Sequence, residues 1–363
     1  MTAPREETTP SWPGKGDTAP RLPLILLYHS ISDPSRDPWG VRVHPEHFAA
    51  HMRVIAAHCT PMRLRDVDAA LKADRVPPRS VVVTFDDGYI DNLMVAKPFL
   101  ERAGIPGTVF VASGYVGSGQ EFWWDELDRL LLQRGRMPPE VTLTVGERRM
   151  EWRLGADARL HWLRWRWQQH NRFFAYEQRA ERLARWTPRQ RMYRELWDAL
   201  RSAPSVGVRE DALRQLQRLS KPAVGPRGSC RACSPEQLRQ LAADGLIEIG
   251  AHTVNHPSLG SLSIEEQRYE IVECKRTLES IVQQPVTSFA YPIGQRTDYS
   301  ADTIRLLREA GFERACINAD PRSAVSHDVD RFQYPRLIAS DWDGNTFSAK
   351  LAAWFEKFDH EMA

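Results

Sequence analysis

The chain has 363 residues, of which 42% are hydrophobic and 26% are charged, enough for one large folded domain or two smaller ones. Its formal net charge of +2 produces no field over the whole surface that would attract a nucleic acid or an acidic membrane. No segment approaches the ~20 apolar residues of a membrane-spanning helix.

The amino-terminal residues 1–21 are polar and rich in proline and threonine, without the apolar run of a secretory signal. We therefore expect a disordered tail and a cytoplasmic protein.

Apolar runs of strand length recur along the rest of the chain, and helical patterns separate most of them. This alternation predicts an α/β fold with parallel strands, and about seven strands are typical of a closed or nearly closed barrel. The predicted strands cover residues 24–29, 81–87, 107–113, 247–253, 286–292, 314–320 and 333–339.

Residues 121–234 separate the third predicted strand from the fourth and are far too long for an ordinary connection. We predict an inserted, mainly helical subdomain that contains a hairpin turning near Gly146. Its helices are expected at about 157–185, 189–202 and 209–220. The barrel would then consist of residues 22–120 and 235–345, followed by a C-terminal helix over 346–363.

Arginine and tryptophan are concentrated in this insert: residues 148–201 hold fourteen Arg against six Asp or Glu, and six of the twelve Trp. Helical spacing places Trp162 and Trp165 on the face opposite the one that would dock on the barrel. We favour packing of that face within the insert, with contact to sugar rings, phosphates or a lipid-like group as the alternative. Neither a nucleic acid nor a membrane surface is the expected partner.

The five cysteines are an odd number in a chain without a visible signal peptide, which argues against a disulfide framework. Cys230 and Cys233 form a CxxC that lacks the second pair of a zinc ribbon and the preceding strand of a thioredoxin motif. We interpret this pair as incidental.

Two adjacent carboxylates, Asp86 and Asp87, end the stretch VVVTFDD. A run of this kind predicts a strand buried on both faces, so both carboxylates come at its carboxyl end, where α/β barrels keep their chemistry. Because like charges raise one another's pKa, the pair needs a cation or a proton nearby. This requirement indicates a metal.

The stretch AHTVNHP places His252 and His256 just past another predicted strand. On a helical turn this spacing puts both imidazoles on one side, where neutral nitrogens can share a metal. Two His and one carboxylate would leave coordination positions open for water and substrate. The second carboxylate could act as a general base.

Three stretches, TFDDG at 84–88, HTVNHP at 252–257 and FAYPIG at 289–294, resemble in order and spacing the motifs of the polysaccharide deacetylases, carbohydrate esterase family 4. The resemblance covers about 22–120 and 235–345. It implies a distorted (β/α)7 barrel, a divalent metal and hydrolysis of an N-acetyl group from an amino sugar. The donor set suits Zn²⁺, and Co²⁺, Ni²⁺, Fe²⁺ and Mn²⁺ accept it as well.

The resemblance also assigns roles to individual residues. It implies that Asp87, His252 and His256 hold the metal and that Asp86 is the base. The peptide N–H of Tyr291 would stabilise the oxyanion, and Tyr291 and Pro292 would lie against the substrate.

The leaving amine needs a proton, and LILLYHSI resembles the branch of poly-N-acetylglucosamine deacetylases in which a His on the first strand supplies it. This nominates His29, with His327 as the competitor. The stretch SFAYP lacks the Arg that often restrains the catalytic Asp in this family, so Arg336 either takes that role or forms a surface ion pair. Asp341 and Trp342 either line the substrate groove or cap the helix that follows.

These residues indicate a metal-dependent carbohydrate N-deacetylase that releases acetate. Without an export signal, a lipid-linked, nucleotide-linked or otherwise conjugated N-acetylated sugar is the favoured substrate. One alternative is a metal-dependent hydrolase of a non-sugar amide or cyclic imide. Another is a carbohydrate-binding protein that has lost catalysis, which the presence of base, ligands and candidate acid disfavours.

Overall fold

The computed structural model describes residues 22–34, 37–160, 186–319 and 330–360. Its strands are β1 (Leu24–Tyr28), β2 (Thr60–Met62), β3 (Ser80–Phe85), β4 (Gly107–Val111), β5 (Gly135–Arg136), β6 (Glu140–Val145), β7 (Arg148–Arg153), β8 (Arg159–Leu160), β9 (Lys221–Pro222), β10 (Ile247–Ala251), β11 (Ser288–Ala290), β12 (Arg314–Ile317), β13 (Tyr334–Pro335) and β14 (Leu337–Ile338). Its α-helices are α1 (Pro45–His58), α2 (Val67–Lys72), α3 (Lys97–Ala103), α4 (Trp123–Leu131), α5 (Pro188–Arg201), α6 (Val206–Leu219), α7 (Pro235–Ala242), α8 (Ile264–Val282), α9 (Ala301–Glu309) and α10 (Gly344–His360).

The predicted α/β barrel is confirmed: its strands are parallel and follow the order β13-β12-β11-β10-β4-β3-β1-β14. Only Arg336 separates β13 from β14. Because β13 pairs with β12 and β14 pairs with β1, one short segment joins the two edges of the sheet. Strand β2 pairs in parallel with the first half of β3, outside this path.

Side chains alternate between the barrel interior and the surrounding helices. Ile25, Val82 and Phe110 share an interior cluster that Val67 of α2 also joins. The neighbouring strand residues, such as Leu26 and Val83, belong to the larger core formed with the helices. Both faces are therefore buried, which explains why the strands are continuous apolar runs in the sequence.

The chain between β4 and β10 forms a second hydrophobic core of its own, built from α4, the β6–β7 hairpin, α5 and α6. The hairpin turns at Gly146, which has φ +61, as the sequence predicts. The two later helices predicted for the insert correspond to α5 and α6. The segment predicted as a helix from about residue 157 instead begins with a 3₁₀ turn, Gly155–Ala158, followed by β8. Its remainder, which includes Trp162 and Trp165, lies outside the described residues.

Across the described ranges, no helix is both long and apolar enough to cross a bilayer. The last helix, α10, begins at Gly344, close to the start predicted for a C-terminal helix, and packs against α1.

Candidate metal centre and active-site cavity

The polar side chains singled out from the sequence follow different parallel strands and meet at one end of the barrel. His29 follows β1, Asp86 and Asp87 follow β3, and His252 follows β10. All four, together with His256, line the same cavity of about 190 Å³. The carboxyl ends of the strands are therefore the functional end of this barrel.

Asp87, His252 and His256 form a cluster whose candidate ligand atoms all lie within 4.8 Å of one another. The Oδ1 atom of Asp87 is 3.6 Å from Nε2 of His252 and 3.5 Å from Nε2 of His256. One carboxylate and two imidazoles at these separations match the donor set of an open metal site.

Hydrogen bonding and burial leave the imidazole of His252 ready to act as a ligand. Its Nδ1 lies 2.7 Å from the carbonyl oxygen of Ala290, so this nitrogen carries the proton and Nε2 presents a lone pair. Burial lowers the pKa of His252, and burial together with the charge of His252 lowers that of His256 well below its usual value. Both rings are therefore neutral at neutral pH, as metal ligation requires.

The loop that carries His256 has a strained backbone held by a buried carboxylate. Thr253 and His256 have backbone φ angles of +65 and +55, which residues other than glycine rarely adopt. Glu270 of α8 accepts hydrogen bonds from the peptide N–H groups of Val254 and Asn255 at 2.9 and 2.8 Å. Helix α8 thus sets the conformation of the loop and the direction of the His256 ring.

Asp87 itself tests whether a cation fits the cluster. Its Oδ1 atom is buried and has no hydrogen-bond partner among the described residues. Burial, the charge of Asp86 and the charge of Asp125 raise the pKa of Asp87 well above its usual value. A buried carboxylate without a donor, facing two neutral imidazoles, is the environment that a divalent cation stabilises. The residues therefore fit a divalent metal.

Asp86 has the opposite surroundings. Its Oδ1 and Oδ2 atoms accept hydrogen bonds of 2.6 and 2.7 Å from the two terminal nitrogens of Arg336, whose side chain is fully buried. Burial acts to raise the pKa of Asp86, but the charge of Arg336 and its hydrogen bonds outweigh burial and bring the pKa below its usual value. Asp86 therefore stays ionised, and the predicted contact of Arg336 with Asp86 is present.

His29 lines the cavity close enough to feel the charge of Asp86. Burial lowers its pKa to about 4, while Asp86 acts in the opposite direction. Its buried Nδ1 atom has no hydrogen-bond partner in the parts of the chain that the structure describes. The ring is thus neutral at neutral pH, and the other described residues leave its Nδ1 unused. The competing candidate, His327, lies outside the described residues.

The remaining walls of the cavity come from the insert, from the loop before α1 and from the loops after β11 and β12. The insert supplies aromatic and cationic side chains, and the ring of Trp124 lies 4.3 Å from that of His256. This part of the site was not predicted residue by residue, although the enrichment of the insert in Arg and Trp was its signal in the sequence. The additional lining residues include Trp39, Trp123, Trp197, Arg194, Arg201 and Asn318.

Tyr291 and Pro292 are not among the described residues that line the cavity, unlike the next residue, Ile293. The peptide N–H of Tyr291 donates to the carbonyl of Cys316 at 3.1 Å, and its hydroxyl donates to the carbonyl of Phe332 at 3.0 Å. Because the sheet ladder continues one residue past β11, this N–H is already used. The expectation that Tyr291 stabilises an oxyanion was therefore wrong.

Asp341 and Trp342 also lie away from the cavity walls that the structure describes. Asp341 accepts a hydrogen bond of 2.9 Å from the peptide N–H of His44, just before α1, and its Oδ1 lies 2.6 Å from Nδ1 of His47. Trp342 packs against the main core, and its carbonyl oxygen lies 2.7 Å from Nε2 of His51. Both residues tie the end of the barrel to α1, so neither expected role, in the substrate groove or at the cap of the last helix, describes their contacts.

The fold and this cavity define a barrel enzyme with a candidate centre for a divalent metal at the carboxyl ends of its strands. The family model described as polysaccharide deacetylase matches residues 73–136 and 197–315, which together make up half of the chain. The chain belongs to this family, carbohydrate esterase family 4, as its motifs predicted. Membership makes it a hydrolase of the deacetylase class, in a family that generally uses a divalent metal.

Individual relatives agree with this assignment. The chain is 20% identical over 353 residues to the polysaccharide deacetylase YxkH of Bacillus subtilis, covering 96% of this chain and 81% of YxkH. The structure resembles Streptococcus pyogenes deacetylase PplD in complex with acetate, with a TM-score of 0.52, 15% identity and coverage of 89% and 94% of the two chains. It resembles IcaB from Ammonifex degensii with a TM-score of 0.52, 17% identity and coverage of 92% and 96%. At these identities the structures show a shared fold.

Proposed function

We propose that the protein hydrolyses the acetamido group of an N-acetylated amino sugar in a glycan or glycoconjugate and releases acetate. The observation that carries this proposal is the split between two adjacent carboxylates. Asp86 is held ionised by Arg336, while Asp87 faces the imidazoles of His252 and His256 in the same cavity. One carboxylate is suited to accept a proton and the other to bind a cation.

A divalent metal, Zn²⁺ by its preference for nitrogen and oxygen donors, would be held by Asp87, His252 and His256. When bound, such an ion lowers the pKa of water and polarises a carbonyl oxygen. We assign the proton transfers of the reaction to side chains of the protein itself.

Asp86 accepts the proton of the attacking water, because Arg336 keeps its carboxylate ionised and fixed in direction. The departing amine nitrogen must gain a proton, and His29 is the cavity residue proposed to deliver it. Since the His29 ring is neutral before the reaction, we assign it a relay role: it takes up the proton that Asp86 has removed and passes it to the amine. Asp86 and His29 then both return to their starting states.

The test is acetate release by zinc-loaded protein from a panel of N-acetylated monosaccharides, sugar phosphates, nucleotide sugars and oligosaccharides. Non-sugar acetamides and cyclic imides serve as the comparison set. We expect acetate only from sugar substrates, loss of activity on chelation, and recovery when metal is restored. If the metal-saturated protein releases acetate from none of the sugars in the panel, the proposal is refuted.

A further inference from the structure

One wall of the cavity is built by a single face of α5. Arg194, Trp197 and Arg201 are spaced three and four residues apart on this helix, so they lie on one side, and all three line the cavity that contains the metal cluster. Trp39 joins them from the loop before α1, with its ring 4.2 Å from that of Trp197. We call these four residues the α5 wall.

Both arginines of the α5 wall lie over tryptophan rings at cation–π distance. The guanidinium carbon of Arg194 lies 5.5 Å from the ring centre of Trp39 and 5.8 Å from that of Trp197. Arg201 lies 5.2 Å from the ring centre of Trp197. A cation–π contact with a ring does not use the N–H donors of a guanidinium as hydrogen bonds do, so these donors remain for other partners.

Few of these N–H groups are used by the protein. Arg194 donates from Nε to Asp198 at 2.8 Å, and Arg201 donates from one terminal nitrogen to Asp298 at 2.7 Å. A guanidinium carries five N–H donors. Within the described parts of the chain, these are the side-chain hydrogen bonds of the two arginines, so each retains several donors at the cavity.

The nearby carboxylates engage only part of each guanidinium of the α5 wall. Asp198 is 47% exposed, so solvent screens its pairing with Arg194. Asp298 is buried and also accepts hydrogen bonds from the hydroxyl of Ser258 and the peptide N–H of Gln295. Asp86 is occupied by Arg336. None of these carboxylates is free to fill the open side of the two guanidinium groups.

We propose that the α5 wall binds an anionic group, a phosphate or a carboxylate, that the substrate carries close to its N-acetylated sugar. The donors of Arg194 and Arg201 match the oxygens of such a group, and the neighbouring tryptophan rings suit the apolar face of a sugar. This inference rests on the proposed function, because it identifies the class of sugar that the same cavity selects.

The test compares acetate release from neutral and anionic substrates that share the reacting sugar. N-acetylglucosamine and diacetylchitobiose are the neutral members. N-acetylglucosamine 1-phosphate and a disaccharide of N-acetylglucosamine with glucuronic acid carry phosphate and carboxylate, so they distinguish the two sources of charge. We expect kcat/KM to be about tenfold or more higher for one anionic member, and this preference to fall as salt rises.

The variant Arg194→Gln removes one guanidinium while sparing the barrel, since the ion pair that Arg194 forms with Asp198 lies within α5. It should reduce the preference for the anionic substrate about tenfold, mainly through KM. Arg191→Gln is the matched control, because Arg191 is an exposed residue of the same helix and does not line the cavity. Equal turnover of neutral and anionic substrates, or equal effects of Arg191→Gln and Arg194→Gln, would overturn the inference.

A binding measurement separates this inference from the proposed function. Tryptophan fluorescence of the zinc-loaded protein is titrated with N-acetylglucosamine 1-phosphate, N-acetylglucosamine linked to glucuronic acid, and N-acetylglucosamine itself. If no substrate releases acetate, tighter binding of either anionic sugar that depends on Arg194 would still establish the anion site. Equal binding of all three sugars would refute it.

Discussion

At the scale of single residues, two identical neighbours acquire opposite properties from the backbone between them. Asp86 continues the inward-facing series of β3 that includes Val82 and Thr84, so it enters the barrel and meets Arg336. Asp87 lies at the turn with φ +75 and faces the histidines. Its pKa is raised, whereas that of Asp86 is lowered. Asp86 and Asp87 are therefore identical neighbours in the sequence that are suited to different chemical roles.

This difference predicts distinct effects of the same substitution at the two positions. Asp86→Asn keeps the shape of the side chain but removes the proton acceptor, so zinc should stay bound while kcat falls by about 10² to 10⁴. Asp87→Asn removes the only carboxylate of the cluster, so zinc content itself should fall. Elemental analysis and acetate release on both purified variants provide the check. Near-normal turnover by Asp86→Asn would contradict its role as the base.

At the scale of elements, the insert depends on a buried arginine at the start of α5. Arg189 is 1% exposed and donates to the carbonyl oxygens of Leu131, Gly135 and Ala158 at 3.2, 3.4 and 3.2 Å. These carbonyls belong to the end of α4 and to the segments around β5 and β8. One side chain thus joins three elements of the insert and supports the helix that carries the α5 wall.

Replacing Arg189 by Met should destabilise the insert by about 2–4 kcal/mol, because two buried carbonyl oxygens and one partly buried carbonyl oxygen lose their donor. Urea unfolding followed by tryptophan fluorescence measures this loss. Arg191→Met, at an exposed position two residues along α5, is the control and should change stability by less than about 0.5 kcal/mol. Equal stability of the two variants would show that the contacts of Arg189 carry no net stabilisation.

At the scale of the whole molecule, buried carboxylates make the free energy of unfolding depend on pH. Asp91 accepts hydrogen bonds from the hydroxyl of Ser30 and the peptide N–H of Ile31, which joins the loops after β1 and β3. Burial raises its pKa from 3.8 to about 6, although these hydrogen bonds act in the opposite direction. The folded protein therefore binds a proton at Asp91 more tightly than the unfolded chain does.

The contribution of this group to stability is fully present below pH 3.8 and is lost as pH rises through about 6. A shift of two pKa units corresponds to about 3 kcal/mol. Asp91→Asn should therefore gain stability relative to the parent protein between pH 4 and pH 7, by up to about 3 kcal/mol. Urea midpoints measured at pH 4 and at pH 7 give this gain. The control is Asp211→Asn, because Asp211 is an exposed residue. A pH-independent difference would contradict this assignment.

The sequence by itself determined the barrel and the centre of the site. The alternation of apolar runs and helices specifies parallel strands, and polar residues at the ends of such strands converge whatever the details of packing. For this reason Asp86, Asp87, His252 and His256 could be identified from short motifs. The Arg and Trp content of the insert was visible as composition, but the residues that reach the cavity were not.

Only the tertiary structure decided which distant side chains complete the site. Trp197 and Arg201 reach the cavity because one face of α5 packs beside the metal cluster. Helical periodicity predicts which residues share a face, but it does not specify where that face packs. Arg336 meets Asp86 because one segment pairs with both edges of the sheet. The N–H of Tyr291 is not available to stabilise an oxyanion, because it donates to the carbonyl of Cys316 on the next strand. Each of these contacts joins residues far apart in the chain, so local sequence patterns do not specify them. For this reason the sequence could name Arg336 as a partner of Asp86 only as one of two alternatives.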